Sequence, residues 1–121
     1  MVMALWIVNI VTAIGFLGTG SLKAFVPKPT LRARGIAWTD DFSAPTIRLL
    51  GVAELAGAVG LIVPMATGIL PVLTPIAAVC LAAITAGAVT VHVRRKEGFA
   101  PALVMCTLSI ASAVLGFIVL L

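Results

Sequence analysis

The residue whose chemistry is least expected in its surroundings is Glu54, a carboxylate within a long apolar stretch. No other Lys, Arg, Asp or Glu occurs between Arg48 and Arg94. A charged group is costly inside a bilayer, so an intramembrane carboxylate is a candidate functional group. Gly51 and Gly57 lie three residues to either side, on one helical stripe, and would let a helix or ligand approach closely. Glu54 is therefore a candidate proton donor or acceptor.

Further polar side chains are expected at the depth of Glu54. A helix rises about 1.5 Å per residue, which places Glu54 about 13 Å from one end of its predicted helix, close to mid-membrane. The same depth on the other predicted helices holds these hydroxyl and amide groups: Asn9, Thr12, Thr85, Ser109 and Ser112. Two interpretations stay open. These groups either satisfy Glu54 as a structural lock between helices, or line a small polar pocket in an apolar bundle.

Two more residues are candidates near one membrane surface. Arg48 precedes Glu54 by six residues, and it either extends to the interface or bends toward Glu54 or an anionic headgroup. His92 stands beside a basic run, and its depth matches Arg48 better than Glu54. It is either a solvated helix terminus or, if it points inward, a group at the mouth of the pocket.

The sequence lacks the residue patterns of disulfide, metal, haem and nucleotide-binding sites. Cys80 and Cys106 form no C-x-x-C motif and differ in predicted depth, so a disulfide is not expected. A single His without nearby paired carboxylates does not make a transition-metal or haem site. No phosphate-binding, dinucleotide or G-x-S-x-G motif is present. The sequence thus indicates neither a metal nor a cofactor.

The composition places these candidates in a membrane protein. Of 121 residues, 62% are hydrophobic and only 10% are charged. So short a chain has a high ratio of surface to volume and would need many more polar residues to cover itself in water. The same apolar content excludes a disordered chain. A single integral membrane domain, residues 1–121, is expected.

Four membrane-spanning helices are predicted, which makes the fold class all-α. A span needs about 20 mostly apolar residues, and the predicted spans are 3–20, 44–63, 71–92 and 101–121. Ser43 is the expected N-cap of the second span, and Pro64 is expected to end it. An interfacial loop, residues 21–43, is expected to hold Trp38 and Phe42 at headgroup depth.

The basic residues predict the orientation of the bundle. All eight lie in or beside the first and third connections: Lys23, Lys28, Arg32, Arg34, Arg48, Arg94, Arg95 and Lys96. Positive loops stay in the cytoplasm, so loops 21–43 and 93–100 are expected there, with both termini outside the cell membrane. The partner of this charge is the lipid bilayer rather than nucleic acid.

Several runs of the sequence resemble the DoxX-like family of small bacterial membrane proteins. These are Gly35-Ile-Ala-Trp-Thr-Asp-Asp-Phe, the R-x-x-G-x-x-E element from Arg48 to Glu54 with Gly57, Gly60 and Pro64 after it, Pro75-Ile-Ala-Ala-Val, and the run from Gly87 to Glu97. The resemblance covers essentially the whole chain. It implies a four-helix membrane bundle and carries over Arg48, Glu54 and His92 as candidate site positions. Relatives include a membrane subunit of a thiosulfate:quinone oxidoreductase and members of membrane redox or thiol-stress complexes.

Three functional hypotheses follow. In the first, the protein binds a small quinone-like lipophile near Glu54, alone or as an accessory subunit for a membrane redox partner. Catalysis would then be at most that of one subunit of a quinone-linked oxidoreductase. In the second, it is a proton-coupled transporter, although the strong charge asymmetry is untypical of small dual-topology exporters. In the third, Glu54 and Arg48 dock another membrane protein. A homo-oligomer is compatible with each hypothesis.

Overall fold

The structure, a computed structural model, describes residues 1–120 and has helices but no β-strand within them. The elements are α1 (Val2–Phe25), α2 (Lys28–Ala33), a 3-10 helix (Ala37–Asp41), α3 (Ala44–Thr67), α4 (Leu73–Arg94) and α5 (Ala100–Leu120). Helices α1, α3, α4 and α5 are each long and apolar enough to cross a membrane. The predicted all-α four-helix membrane bundle is therefore confirmed.

Two helix ends differ from the sequence prediction by four residues or more. α1 continues beyond residue 20 to Phe25, so the first part of the predicted loop 21–43 is helical. α3 passes through Pro64 and ends at Thr67, and its C-cap Gly68 adopts a left-handed conformation with φ 73°. A proline removes one helical hydrogen bond, a loss that membrane helices tolerate, and a glycine is the usual terminator. The predicted N-cap is present, since the Ser43 hydroxyl accepts a hydrogen bond from the Thr46 amide.

The four long helices form two closely packed pairs. α1 packs against α3 and α4 against α5, and the pairs meet along α3–α4 and α1–α5. Gly51 makes the first pair possible, because a Cβ there would overlap the backbone of Ala24 and lie 2.7 Å from the Gly20 carbonyl. Gly116 is similarly close to Pro75 in the second pair. Glycines thus permit the close backbone approach that packing in lipid requires.

The apolar core lies between the two helix pairs, at a distance from the long connection between α1 and α3. It consists of Ala13, Phe16, Ala58, Leu61, Ala78, Leu81 and Ala113. Gly57 lies against Leu81 and Gly60 against Ala77, so α3 and α4 are in contact there. Gly15 likewise lies against Met105, which brings α1 to α5. Most other large apolar side chains point outward and are exposed, as suits a lipid-facing surface.

The end of the bundle that carries all eight basic residues is here called the basic end, and α2 with the 3-10 helix covers it. Lys28 donates to the Phe42 carbonyl at 2.7 Å. Arg95, at the end of α4, pairs with Asp41 at 2.9 Å and with Glu97 at 2.6 Å. Hydrogen bonds to these two carboxylates raise the pKa of Arg95 above its ordinary value. The segment between α1 and α3 is therefore linked, through Asp41 and Arg95, to the segment between α4 and α5.

Candidate functional site

A cavity of about 580 Å³ lies between the two helix pairs at the basic end. Its volume is within the range of small-molecule sites, about 300–1,000 Å³. All four long helices and the covering segment contribute to its mostly apolar wall. The lining residues are Phe16, Thr19, Leu22, Lys23, Leu31, Ile36, Trp38, Phe42, Leu50, Glu54, Ala83, Ile84, Thr85, Gly87, Ala88, Val91, His92, Pro101, Ala102 and Met105.

An ion pair stands on the α1–α3 wall of this cavity. Lys23 Nζ lies 2.6 Å from Glu54 Oε2, and Thr19 Oγ1 donates to Glu54 Oε1 at 2.7 Å. The Glu54 side chain is only 2% exposed and that of Lys23 19%. A buried carboxylate is stable when it is paired and its oxygens are hydrogen-bonded. Both oxygens of Glu54 are bonded to α1, so the carboxylate is fixed in position at the cavity wall.

The local sequence explains how α1 reaches Glu54. Thr19 and Lys23 are one helical turn apart, so their side chains lie on the same face of α1. Gly20 lies between them, and a Cβ there would lie 3.2 Å from Glu54 Cβ. Close approach of the two backbones therefore lets a short threonine and a bent lysine meet the same carboxylate.

An aromatic ring lies beside the ammonium of Lys23, and further aromatic rings line the same cavity. Nζ lies 5.4 Å from the centroid of the Trp38 ring, within the range of a cation–π contact. Trp38 in turn meets Phe42 edge to face, with ring centroids 5.7 Å apart. Both rings line the cavity, and Phe16 lines it from α1. The charged pair is therefore combined with flat apolar surfaces, an arrangement suited to a ring-shaped ligand.

The α4 wall of the cavity contributes two polar side chains. The Thr85 hydroxyl donates within its own helix, to the carbonyls of Leu81 at 2.8 Å and Ala82 at 3.1 Å. Nδ1 of His92 is buried and has no hydrogen-bond partner among residues 1–120. A buried polar atom without a partner is uncommon in folded proteins and calls for an explanation.

Comparison with known proteins identifies the family. Residues 7–114 match the family model described as the DoxX-like family. The chain belongs to the DoxX-like family. No curated protein and no solved structure matches the sequence significantly. The resemblance inferred from the sequence motifs is confirmed, and the fold of this DoxX-like protein is the four-helix membrane bundle described above.

The predicted site residues fall into three groups in the structure. Glu54 and Thr85, which were predicted at one depth, line the cavity together with His92, which was predicted nearer the membrane surface. A second polar cluster lies deeper in the bundle and does not line the cavity. It contains Asn9, Thr12, Ser109 and Ser112, each fully buried.

The second cluster satisfies its own hydrogen bonds. Asn9 donates through Nδ2 to the Leu61 carbonyl at 2.9 Å and accepts from the Ser112 hydroxyl. Thr12 donates to the carbonyl of Val8, and Ser109 to that of Met105, each four residues earlier in its own helix. These contacts link α1 with α3 and α5 and make the cluster a packing element of the DoxX-like bundle.

The remaining predicted site residues lie outside the cavity lining. Arg48 is exposed, and the cation paired with Glu54 is Lys23. Gly51 contacts the backbone of α1, and Gly57 contacts Leu81. Both glycines therefore serve close helix packing on either side of Glu54.

Sequence reasoning missed Thr19 and Lys23 as site residues. Lys23 was counted only among the basic residues that orient the bundle, because the first span was expected to end at residue 20. The signal was present in the spacing: a threonine and a lysine one turn apart, with Gly20 between them, at the end of an apolar helix. A carboxylate within the membrane calls for such a counter-ion.

Proposed function

We propose that this DoxX-like protein binds an uncharged lipophile with a polar ring, of the quinone type, in the cavity at the basic end. It would act as an accessory membrane subunit of a redox system. The observation that carries the proposal is the buried Lys23–Glu54 pair at the wall of an otherwise apolar cavity.

The charges at the cavity favour a neutral ligand. Lys23 and Glu54 neutralise each other at 2.6 Å, and the Glu54 carboxylate also accepts from Thr19. A cationic ligand would compete with Lys23 for Glu54, and an anionic ligand would compete with Glu54 for Lys23. Separating a buried pair carries a desolvation cost that a neutral ligand avoids. This argument favours ligand binding over proton-coupled export of cations.

The same pair offers hydrogen bonds to a neutral ring. An ammonium group has three N–H donors, and Lys23 uses one of them on Glu54. The remaining donors suit the carbonyl oxygen of a quinone, while Phe16, Trp38 and Phe42 offer aromatic surfaces to the ring. Glu54, hydrogen-bonded to Lys23, is placed to exchange a proton with the reduced form of such a ligand.

The accessory role is taken from the relatives that the sequence motifs resemble, which include a membrane subunit of a thiosulfate:quinone oxidoreductase. In this proposal a partner membrane protein transfers the electrons.

The proposed topology follows from the charges. We place the protein in the inner membrane with both termini outside, because all eight Lys and Arg residues lie at one end of the bundle. The cavity then lies near the cytoplasmic surface, covered by α2 and the 3-10 helix.

A fluorescence titration tests the binding proposal. Trp38 lines the cavity and Trp6 does not, so Trp6→Phe leaves one indole as a reporter. In lipid nanodiscs, decyl-benzoquinone is expected to quench Trp38 saturably. Glu54→Ala and Lys23→Met should each weaken binding about tenfold or more, since each removes a polar contact and leaves a charge unpaired.

Ser112→Ala, in the second polar cluster, is the matched control and should bind as the parent does. Quenching that never saturates would contradict ligand binding. Equal affinity in Glu54→Ala, Lys23→Met and Ser112→Ala would also contradict it, and would leave the ion pair as a structural lock or a docking element.

A further inference from the structure

The cavity is not closed on its membrane side. Among its lining residues, Ala83 and Gly87 on α4 remain exposed, as do Thr19 and Leu22 on α1 and Pro101 on α5. Gly87 has no side chain, and a Cβ built there would meet no atom within 4 Å. The wall formed by this face of α4 is therefore thin and open.

Gly87 lies nearer the basic end than the two places where α3 glycines pack against α4. Those helices touch at Gly60 and Ala77 and again at Gly57 and Leu81. The following turns of α4 toward the basic end contribute residues to the cavity instead, among them Ala83 and Gly87. These two are four residues apart and lie on one face of α4. On this exposed face of α4 the cavity is therefore bounded by two small residues, at a level that apolar helix surfaces surround.

By contrast, the side of the cavity at the basic end, which faces water, is covered. Leu31, Ile36, Trp38 and Phe42 line it from α2, the 3-10 helix and the residues beside them. The Arg95–Asp41 ion pair ties this covering segment to the end of α4. A ligand entering from water would have to displace the segment, whereas one entering from lipid past the exposed face of α4 meets the small residues Ala83 and Gly87.

From this asymmetry we infer that the ligand is a membrane lipid with a long hydrocarbon chain, which leaves the cavity between α3 and α4 past Ala83 and Gly87. The inference rests on the proposed function and names its ligand class more narrowly. The polar ring lies toward Lys23, and the chain remains in the hydrocarbon of the bilayer. Both parts of the ligand then keep a favourable environment throughout entry.

Two glycines provide a matched test. Gly87 and Gly18 are both exposed helical glycines with free space around a built Cβ, and only Gly87 lines the cavity. Gly87→Leu should obstruct the path of the chain, and Gly18→Leu should add the same volume to a lipid-facing surface. Binding is measured by Trp38 quenching in nanodiscs, with decyl-benzoquinone, a prenylated benzoquinone and the same ring without a chain.

The inference predicts that both chain-bearing quinones lose about tenfold in affinity in Gly87→Leu and that the chain-free ring does not. Gly18→Leu should bind all three probes as the parent does. A loss confined to the decyl or to the prenyl compound identifies the chain type. If the parent binds quinones and Gly87→Leu leaves every affinity unchanged, the lateral path is wrong while the proposed function stands. If the parent binds none of the three, the proposed function itself fails.

Discussion

Lys23 Nζ lies 2.6 Å from Glu54 Oε2, although the two residues are 31 positions apart and belong to different membrane-spanning helices. The contact joins the last turn of α1 to the middle of α3, where the backbones approach closely at Gly20 and Gly51. Removing charges from water is costly, and the attraction between them offsets this cost only when the geometry is favourable. Loss of either partner would therefore leave a charge uncompensated within the bundle, and the two side chains also form the polar part of the cavity.

The first prediction concerns the stability that depends on this pair. Lys23→Met leaves Glu54 buried without its counter-ion and should lower the free energy of unfolding by about 3 kcal/mol. Reversible unfolding in mixed micelles, followed by circular dichroism, measures the change.

Two further variants show whether the loss of stability comes from breaking the Lys23–Glu54 pair or from losing any charge. Lys23→Met combined with Glu54→Leu removes both charges and should recover most of the lost stability. Arg48→Met removes an exposed charge from α3 and should change stability by less than about 0.5 kcal/mol. A double variant that is as unstable as the sum of its single variants would rule out the pairing.

The sequence predicted the four spans because their apolar runs and loop charges are strong local signals. Helix ends were less predictable, since Lys23 looked like a residue outside the membrane. Its charge is satisfied by Glu54 from another helix, a contact that no local pattern reveals. Pro64 was expected to end α3, but it removes only one hydrogen bond and the helix continues to Thr67.

The second prediction tests the close packing of α1 and α3. A methyl group at Gly51 would overlap the backbone of Ala24 and of Gly20, which cannot move aside as a side chain can. Gly51→Ala should therefore destabilise the protein by about 2 kcal/mol. Gly87→Ala, where the space is free, should leave stability unchanged or raise it by up to about 1 kcal/mol. Equal effects of the two substitutions would mean that the helices do not meet at Gly51.

The third prediction separates the second polar cluster from the ligand site. Ser112→Ala removes the donor to the Asn9 side chain within the core and should cost about 1–2 kcal/mol of stability. Thr107→Ala removes an exposed hydroxyl that bonds only within its own helix and should cost little. Thermal unfolding of both variants provides the comparison. A Ser112→Ala protein as stable as Thr107→Ala would contradict the buried hydrogen bond.

The fourth prediction tests the proposed orientation. In a background with Cys80→Ala and Cys106→Ala, a single cysteine is placed at exposed Ile69 or at exposed Arg34. In intact cells a membrane-impermeant maleimide should label Ile69→Cys, and Arg34→Cys only after permeabilisation. The reverse pattern would place the basic end outside and contradict the charge argument.

The candidate site was partly predictable from Glu54 alone. A carboxylate in an apolar run identified the right position, but residues predicted at its depth fell into two separate clusters. Asn9 and Ser112 bond to each other deeper in the bundle, whereas Glu54 bonds to Thr19 and Lys23. The estimated depth was wrong for Asn9, which bonds to Leu61, whereas Gly20 is the α1 residue that faces Glu54. The estimate was counted from predicted helix ends, and α1 and α3 both extend beyond those ends, to Phe25 and Thr67.

Photolabelling tests the central claim most directly. An azido-benzoquinone with a decyl chain is irradiated with the protein in nanodiscs, and the modified residues are identified by mass spectrometry. We expect labels on cavity-lining residues of different elements, such as Leu22, Trp38 and Val91, and we expect excess decyl-benzoquinone to suppress them. Labels spread over lipid-facing side chains and insensitive to competition would contradict a ligand site beside Lys23 and Glu54.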